Sequence, residues 1–159
     1  MDKQKVSLHE ETINHETAGA ETWAGGEASL NIIELRPAAF SAKAIQHGRQ
    51  PTNVGRMERS DVHASRVGWC GEVMEMYLRL DGDRIAEATF WADGCISTMA
   101  CGDMLTTMVR GMSCEDAAQI TPEELIAALD GLPYKSHHCA ELSVETLREA
   151  IASRLEDRR

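Results

Sequence analysis

The feature that most constrains the fold is an alternation of apolar and polar residues on both sides of a tight turn. Met74, Met76 and Leu78 alternate with polar neighbours, which is the period of a strand that buries one face. The segment Asp81-Gly82-Asp83 then predicts a turn, and residues 85–91 predict a second strand. The pattern therefore predicts an antiparallel hairpin against which the rest of the domain has to pack.

Two cysteines flank this hairpin. Cys70 precedes its first strand and Cys95 follows its second, so antiparallel pairing should bring the two thiols to one edge of the sheet although 25 residues separate them. Cys139 lies far along the chain, directly after His138. Thiolates, an imidazole and a carboxylate such as that of Glu72 are ligands for a soft metal ion or an iron–sulfur cluster.

Helical patterns follow the hairpin. Apolar residues over 96–109 recur at helical spacing, and Gly111 predicts the end of that helix. Capping residues at Ser113 and at Thr121-Pro122 predict two shorter helices. A last helix is predicted over about 140–155. The sequence thus predicts strands first and helices afterwards, within one domain.

Cys95 and Cys139 both fall at predicted helix starts. The free N–H groups and the partial positive charge at such a start favour an anion, which lowers the pKa of a thiol. We therefore expect both thiols to be partly ionised. Any one of the cysteines taken alone could be a buried small hydrophobic residue, but that interpretation does not account for three of them together.

The first part of the chain differs from the rest. Residues 1–38 contain glutamate and glycine with few large apolar side chains, so they cannot bury enough surface to offset the entropy of ordering them. We predict a flexible tail over 1–38 and a domain over 39–159. The apolar patch at residues 30–35 is the exception and could dock on another surface. A helix is predicted over 38–47, and a loop over 51–69.

Composition excludes several classes of protein. The net charge is −10 and no cluster of Lys and Arg is present, which argues against a nucleic-acid partner. No apolar run approaches the roughly 20 residues of a membrane span, and the polar start lacks a secretory apolar segment, so we expect a cytoplasmic protein. In a reducing compartment, the five cysteines are expected to be ligands or reactive thiols and not disulfides.

These residues match a known family. The chain from about residue 53 to 155 resembles the NifU/IscU-type scaffold proteins of iron–sulfur cluster assembly. The resemblance rests on a set of segments in a fixed order, which are Asn53-Val54-Gly55, Cys70-Gly71-Glu72, Asp81-Gly82, Gly94-Cys95, Arg110-Gly111, Gly131-Leu132-Pro133 and His138-Cys139. A single Cys-Gly or His-Cys pair would carry little weight, whereas the ordered set is specific.

The resemblance implies an α+β fold, with helices packed on one face of a small antiparallel sheet of three strands or so. It implies a scaffold, and not an enzyme, that builds a labile [2Fe-2S] cluster from iron and from sulfur delivered by a cysteine desulfurase, and that passes it to apo iron–sulfur proteins. By position, the family's ligands correspond to Cys70, Cys95, Cys139 and His138, with Glu72 where the family carries aspartate. The same set could hold Zn²⁺ in the purified protein.

Two departures affect this expectation. Glutamate at position 72 keeps the charge of the family's aspartate but adds a methylene, which changes its reach. The segment Leu132-Pro133-Tyr134-Lys135-Ser136 keeps only the first two residues of the Leu-Pro-Pro-Val-Lys motif that an Hsp70-type chaperone recognises in this family, so a chaperone partner is doubtful.

The same residues argue against several alternative functions. In the zinc-bound sulfur acceptors that the resemblance also brings in, which activate a desulfurase, an additional segment is expected, and the spacing of 44 positions from Cys95 to Cys139 is too short for it. A thiol redox protein would have a Cys-x-x-Cys motif, which is absent. Three converging thiols argue against a cysteine nucleophile, and an acidic ligand at Glu72 argues against a closed structural zinc site.

The remaining candidates receive weaker roles. Cys101 is expected to be structural in preference to a spare sulfur acceptor, and Cys114 to be incidental. His137 is a possible alternative to His138, although neighbouring residues point in different directions. Because Cys139 begins a helix after a segment without apolar pattern, we expect it to be accessible and to receive sulfur from the desulfurase, with Cys70 as its rival.

Overall fold

The structure is a computed structural model that describes residues 39–156. The predicted tail over 1–38, its apolar patch and residues 157–159 lie outside the described residues. The elements, in chain order, are α1 (Ala42–Arg49), β1 (Val62–Val67), β2 (Val73–Asp81), β3 (Arg84–Asp93), α2 (Ile96–Val109), α3 (Cys114–Gln119), α4 (Pro122–Ala128), a 3₁₀ turn (Tyr134–Ser136) and α5 (His137–Glu156).

The predicted hairpin is confirmed and is part of a three-stranded antiparallel sheet in the order β1-β2-β3. Gly82, in the turn between β2 and β3, has a φ of 61°, a conformation that glycine adopts without strain. Alternate residues of the hairpin face the core, as the sequence pattern predicts. The fully buried ones are Met74, Met76, Leu78, Ile85, Ala88 and Phe90.

Helices cover the face of the sheet that these residues form. The long helix α5 packs against β1 and β2, and α2 packs against β3 and α5. At Gly102 of α2, an added Cβ would lie 2.4 Å from the Phe90 ring, so this glycine lets the helix approach the sheet closely. The opposite face of the sheet carries half-buried polar and aromatic residues such as Glu75, Tyr77 and Trp91. The predicted α+β class, with helices on one face, is therefore confirmed.

Several boundaries differ from the prediction. The predicted loop over 51–69 is wrong, because it contains strand β1 (Val62–Val67). In that strand only Ala64 is buried, and His63 and Ser65 are exposed, so the apolar pattern is too weak to indicate a strand. Helix α1 begins at Ala42, since the Ser41 side chain accepts a hydrogen bond from the backbone N–H of Ala44 and caps it there.

A buried carboxylate fastens the first described segment to α2. Asp103 is fully buried and accepts hydrogen bonds from the backbone N–H groups of Thr52 and Asn53 at 2.7 and 2.8 Å. Its second oxygen lies 2.6 Å from Nδ1 of His47. Asn53 Oδ1 in turn accepts a hydrogen bond from the guanidinium of Arg110 at 2.6 Å. Two motifs far apart in sequence, around residues 53 and 110, therefore meet at one end of α2.

None of the helices within the described range 39–156 has the length and apolar character that crossing a membrane would require.

Candidate metal centre

The end of the hairpin opposite its turn carries the first two cysteines. Val73 pairs with Asp93 at that end, with Cys70 three residues before the pair and Cys95 two residues after it. A tight loop presents Cys70: the Gly71 N–H donates to the carbonyl of Gly68 at 3.0 Å, and Gly71 has a φ of 87°. The edge location predicted for both thiols is therefore what the register of β2 and β3 produces.

Three donors of different chemistry meet beside that edge. Sγ of Cys70 lies 3.4 Å from Nε2 of His138, and Oε1 of Glu72 lies 3.2 Å from the same nitrogen. One ligand atom from each of the three residues falls within 4.8 Å of the others, which is close enough to share one ion. Helix α5 contributes the histidine, and the loop that precedes β2 contributes the other two. The group therefore depends on how α5 packs against the sheet.

Glu72 is placed as a ligand would be and not as a surface charge. Its carboxylate is buried, and neither oxygen accepts a hydrogen bond from any described residue. A buried carboxylate is costly unless a cation faces it, which here means protonated His138 or a metal ion. An added Cβ at Gly68 would lie 2.7 Å from Cδ of Glu72, so the glycine leaves the space that this side chain occupies.

Cys139 lies on the inner side of the same group. Its Sγ is 3.5 Å from Nε2 of His138, and the residue is fully buried. Burial, only partly opposed by a hydrogen bond from Thr98, raises the pKa of this thiol to about 12, and the charges of Cys95 and Glu72 act in the same direction. The prediction of an accessible, partly ionised Cys139 is therefore wrong. The 3₁₀ turn runs directly into α5, which begins at His137 and turns its first inward position, Cys139, into the core.

Cys95 is the opposite case. It is the exposed N-cap residue of α2. Its partial burial would raise the pKa of its thiol, but the backbone N–H and hydroxyl of Thr98, followed by those of Ser97, outweigh that effect and lower the pKa. The prediction from the helix start holds for this thiol. For Cys70, which is also exposed, partial desolvation raises the pKa of the thiol, as do the charges of Glu72 and Cys95.

Thr98 connects the two cysteines at the helix starts. Its Oγ1 lies 3.6 Å from Sγ of Cys95 and 3.6 Å from Sγ of Cys139. Thr98 is not among the site residues predicted from the sequence. Its position three residues after a helix-capping cysteine was a usable signal for the contact with Cys95, whereas the contact with Cys139 joins two helices and has no local signature.

The other candidates lie outside the group. His137 turns away, with Nε2 at 3.2 Å from the carbonyl of Leu132. Cys101 is fully buried, and burial raises the pKa of its thiol well above the ordinary value, in agreement with the structural role predicted for it. Trp69, which is 83% exposed, makes an edge-to-face contact with the imidazole of His138, with 5.4 Å between the ring centroids.

The five predicted site residues therefore line or adjoin one cleft, whose wall also includes Asp93, Lys135 and Ser136. Thiolate sulfur, imidazole nitrogen and carboxylate oxygen are the donors that tetrahedral zinc accepts, and thiolates with one histidine also suit a small iron–sulfur cluster. The buried carboxylate of Glu72 accepts no hydrogen bond from the described residues and lies 3.2 Å from Nε2 of His138, so it fits such a cation. The cleft therefore brings together donors that could hold a metal ion.

Comparison with known proteins gives a consistent result. Residues 39–158 match the family model described as the NifU-like N-terminal domain. The chain is 36% identical over 114 residues to an iron–sulfur cluster assembly scaffold protein IscU of Archaeoglobus fulgidus, covering 70% of this chain and 74% of the relative. It is 34% identical over 119 residues to the IscU scaffold of Escherichia coli, covering 72% and 92%.

Solved structures show the same fold. A nitrogen-fixing NifU-like protein (N-terminal) from Brucella abortus superposes with a TM-score of 0.59 at 15% identity, over 73% of this chain and 94% of that one. A structure described as a putative scaffold protein for the SUF system from Fervidobacterium islandicum gives a TM-score of 0.60 at 18% identity, over 70% and 96%.

Proposed function

The chain belongs to the NifU-like N-terminal domain family, and on this basis we propose that it is a scaffold on which an iron–sulfur cluster is assembled and from which the cluster is passed on. The observation that carries the proposal is the convergence of Cys70, Glu72 and His138 on one point, with Cys139 against the same imidazole. The relatives of this chain are named as scaffold proteins of iron–sulfur cluster assembly, which supports the proposal. In this proposal the cluster is cargo, and the protein itself turns over no substrate.

We propose Cys70, Cys95, Cys139 and either His138 or Glu72 as the ligands of a labile [2Fe-2S] cargo. A carboxylate or an imidazole in the fourth position binds iron less firmly than a thiolate does, so a ligand of this kind favours release. The same donors would take Zn²⁺ when iron and sulfide are absent. The exposed side of the cleft, next to Cys70 and Cys95, is where cargo would enter and leave.

The partners we propose are a cysteine desulfurase as the sulfur source and apo iron–sulfur proteins as recipients. In the sulfur step, a scaffold thiolate attacks the outer sulfur of the desulfurase persulfide, the S–S bond breaks, and the desulfurase cysteine leaves as a thiolate. Because Cys139 is buried, we expect sulfur to reach Cys70 or Cys95 first. A chaperone partner remains doubtful, and a cytoplasmic location remains the prediction from the sequence.

Anaerobic reconstitution of the full chain with iron and sulfide tests the cluster proposal. The expected product absorbs in the visible range as a [2Fe-2S] protein, and each of Cys70→Ala, Cys95→Ala and Cys139→Ala should lose most of that absorbance while staying folded by circular dichroism. The matched control is Cys114→Ala, a buried cysteine outside the cleft. A chain that takes up zinc and stays colourless with iron and sulfide would support a zinc-bound sulfur acceptor instead.

A second test addresses Glu72. If its carboxylate keeps the cargo labile, Glu72→Ala should slow transfer to an apo-ferredoxin by about tenfold, and Glu72→Asp should remain close to the parent chain. Cluster content before transfer has to be matched, so that slower release is not confused with poorer loading. Equal transfer rates for the parent chain and for Glu72→Ala would show that the carboxylate has no role in cluster release.

A further inference from the structure

The hydroxyl of Thr98 has different partners from four other hydroxyl groups inside the two long helices. A helical Ser or Thr ordinarily donates to the backbone carbonyl one turn back. Thr106, Thr107, Ser143 and Thr146 all do this, at 2.7 to 2.9 Å. Oγ1 of Thr98 instead contacts the sulfur atoms of Cys95 and Cys139, each at 3.6 Å.

The position of this hydroxyl is determined by its surroundings. Thr98 is fully buried in the first turn of α2, so solvent does not compete for its hydrogen bonds. At Gly94, an added Cβ would lie 2.7 Å from Oγ1 and 2.9 Å from Cβ of Thr98. The absence of a side chain at Gly94 therefore leaves room for the hydroxyl to sit between the exposed sulfur of Cys95 and the buried sulfur of Cys139.

We propose that Thr98 is a positioning residue of the cargo site, which holds the sulfur atoms of Cys95 and Cys139 on one side of the cleft and donates its hydroxyl proton to a thiolate there. The proposal rests on the proposed function, because it assigns Thr98 a role toward two of the suggested ligands. The hydroxyl of Thr98 donates to Sγ of Cys139. A hydroxyl has one proton, so it serves one thiolate at a time.

Two consequences follow from a hydrogen bond to a ligand sulfur. It withdraws electron density from the sulfur, which makes a bound cluster easier to reduce and raises the energy needed to move an electron from sulfur to metal. It also holds the sulfur in position, and loss of such supporting contacts costs about 10- to 100-fold in metal affinity. Removal of the hydroxyl should therefore change both spectrum and affinity.

The test uses Co²⁺ as the probe, with the full chain under anaerobic, reducing conditions. Thr98→Val removes the hydroxyl and keeps the shape, and Thr98→Ser keeps the hydroxyl. Thr106→Val is the matched control, since Thr106 is equally buried on the same helix and bonds only backbone carbonyls. The readouts are the sulfur-to-cobalt charge-transfer band and the affinity measured against a chromophoric chelator.

We expect Thr98→Val to move the charge-transfer band to longer wavelength and to weaken Co²⁺ binding about tenfold, with Thr98→Ser close to the parent chain and Thr106→Val unchanged. A band and an affinity in Thr98→Val equal to those of the parent chain would overturn the role of Thr98. Equal losses in Thr98→Val and Thr106→Val would also overturn it, because they would reflect general destabilisation. A parent chain without any charge-transfer band would overturn the proposed function itself.

Discussion

The starts of helices α2 and α5 carry the same residue type in nearly the same place and give it opposite properties. Cys95 caps α2, is exposed, and has a lowered thiol pKa. Cys139 lies in the first turn of α5, is fully buried, and has a thiol pKa raised to about 12. A helix start is thus not sufficient to make a thiol reactive.

The difference comes from where the backbone donors and the solvent lie. At the N-cap, the backbone N–H groups of Thr98 and Ser97 lower the pKa of the Cys95 thiol, because the start of a helix is where an anion is stabilised. Cys139 is two residues inside its helix, so its sulfur faces the core, and desolvation outweighs the single hydrogen bond that Thr98 donates to it. The site therefore combines an exposed thiol with a buried one, both linked to the same hydroxyl.

The largest expected effect of this difference is on thiol alkylation. In the metal-free protein at pH 8, iodoacetamide should modify Cys95 at least roughly a hundredfold faster than Cys139. A thiol with a pKa of about 12 is rarely ionised at that pH, and the burial of Cys139 also keeps the reagent away from its sulfur. Mass spectrometry of peptides after timed quenching measures the two rates. In urea the rates should converge. Faster labelling of Cys139 in the folded chain would contradict the burial argument.

The contributions of the same two thiols to the free energy of unfolding should change with pH in opposite directions. Cys139 has a pKa raised from the ordinary 9.0, so its stabilising contribution is present below pH 9 and is lost as the pH rises toward 12. That contribution has a slope of at most about 1.4 kcal/mol per pH unit. Cys95 has a lowered pKa, so its contribution is present above pH 9 and is lost as the pH falls through the pKa of the folded state.

Urea unfolding of metal-free variants between pH 7 and 11 tests these two predicted pH dependences. Relative to the parent chain, Cys139→Ala should lose stability less steeply above pH 9, and Cys95→Ala should lack the gain that the parent shows on approaching pH 9. The slope is the readout, because each variant also changes stability at every pH by altering packing. Parallel curves for all three chains would show that neither thiol titrates differently in the folded state.

How much of this could be predicted from the sequence depends on the range of the interactions involved. The hairpin follows from alternation around Met74 and Met76, and α4 from the capping box of Thr121 and Glu124, both of which are local signals. Strand β1 exists because it pairs with β2 across the sequence, and its own pattern around Ala64 is weak. Local sequence signals therefore predict the elements that depend on interactions between near neighbours, and miss the strand that depends on a distant partner.

The site divides in the same way. The grouping of Cys70 with Glu72 is local, and the register of the hairpin brings Cys95 to the same edge. The burial of Cys139 depends on the junction between the 3₁₀ turn and α5 and on the packing of α2 against α5, which no local pattern reports. Thr98 was missed for the same reason, since its second sulfur comes from another helix.

The smallest expected effect concerns Ser97, which is almost fully buried next to Cys95. Its hydroxyl lies outside hydrogen-bond geometry with every described residue and is the weakest of the influences that lower the pKa of the Cys95 thiol. Ser97→Ala should therefore slow alkylation of Cys95 at pH 8 by about twofold or less, and leave stability equal or slightly higher, because it removes a buried hydroxyl without a partner. A tenfold slowing would mean that the hydroxyl, and not the backbone N–H groups at the helix start, activates this thiol.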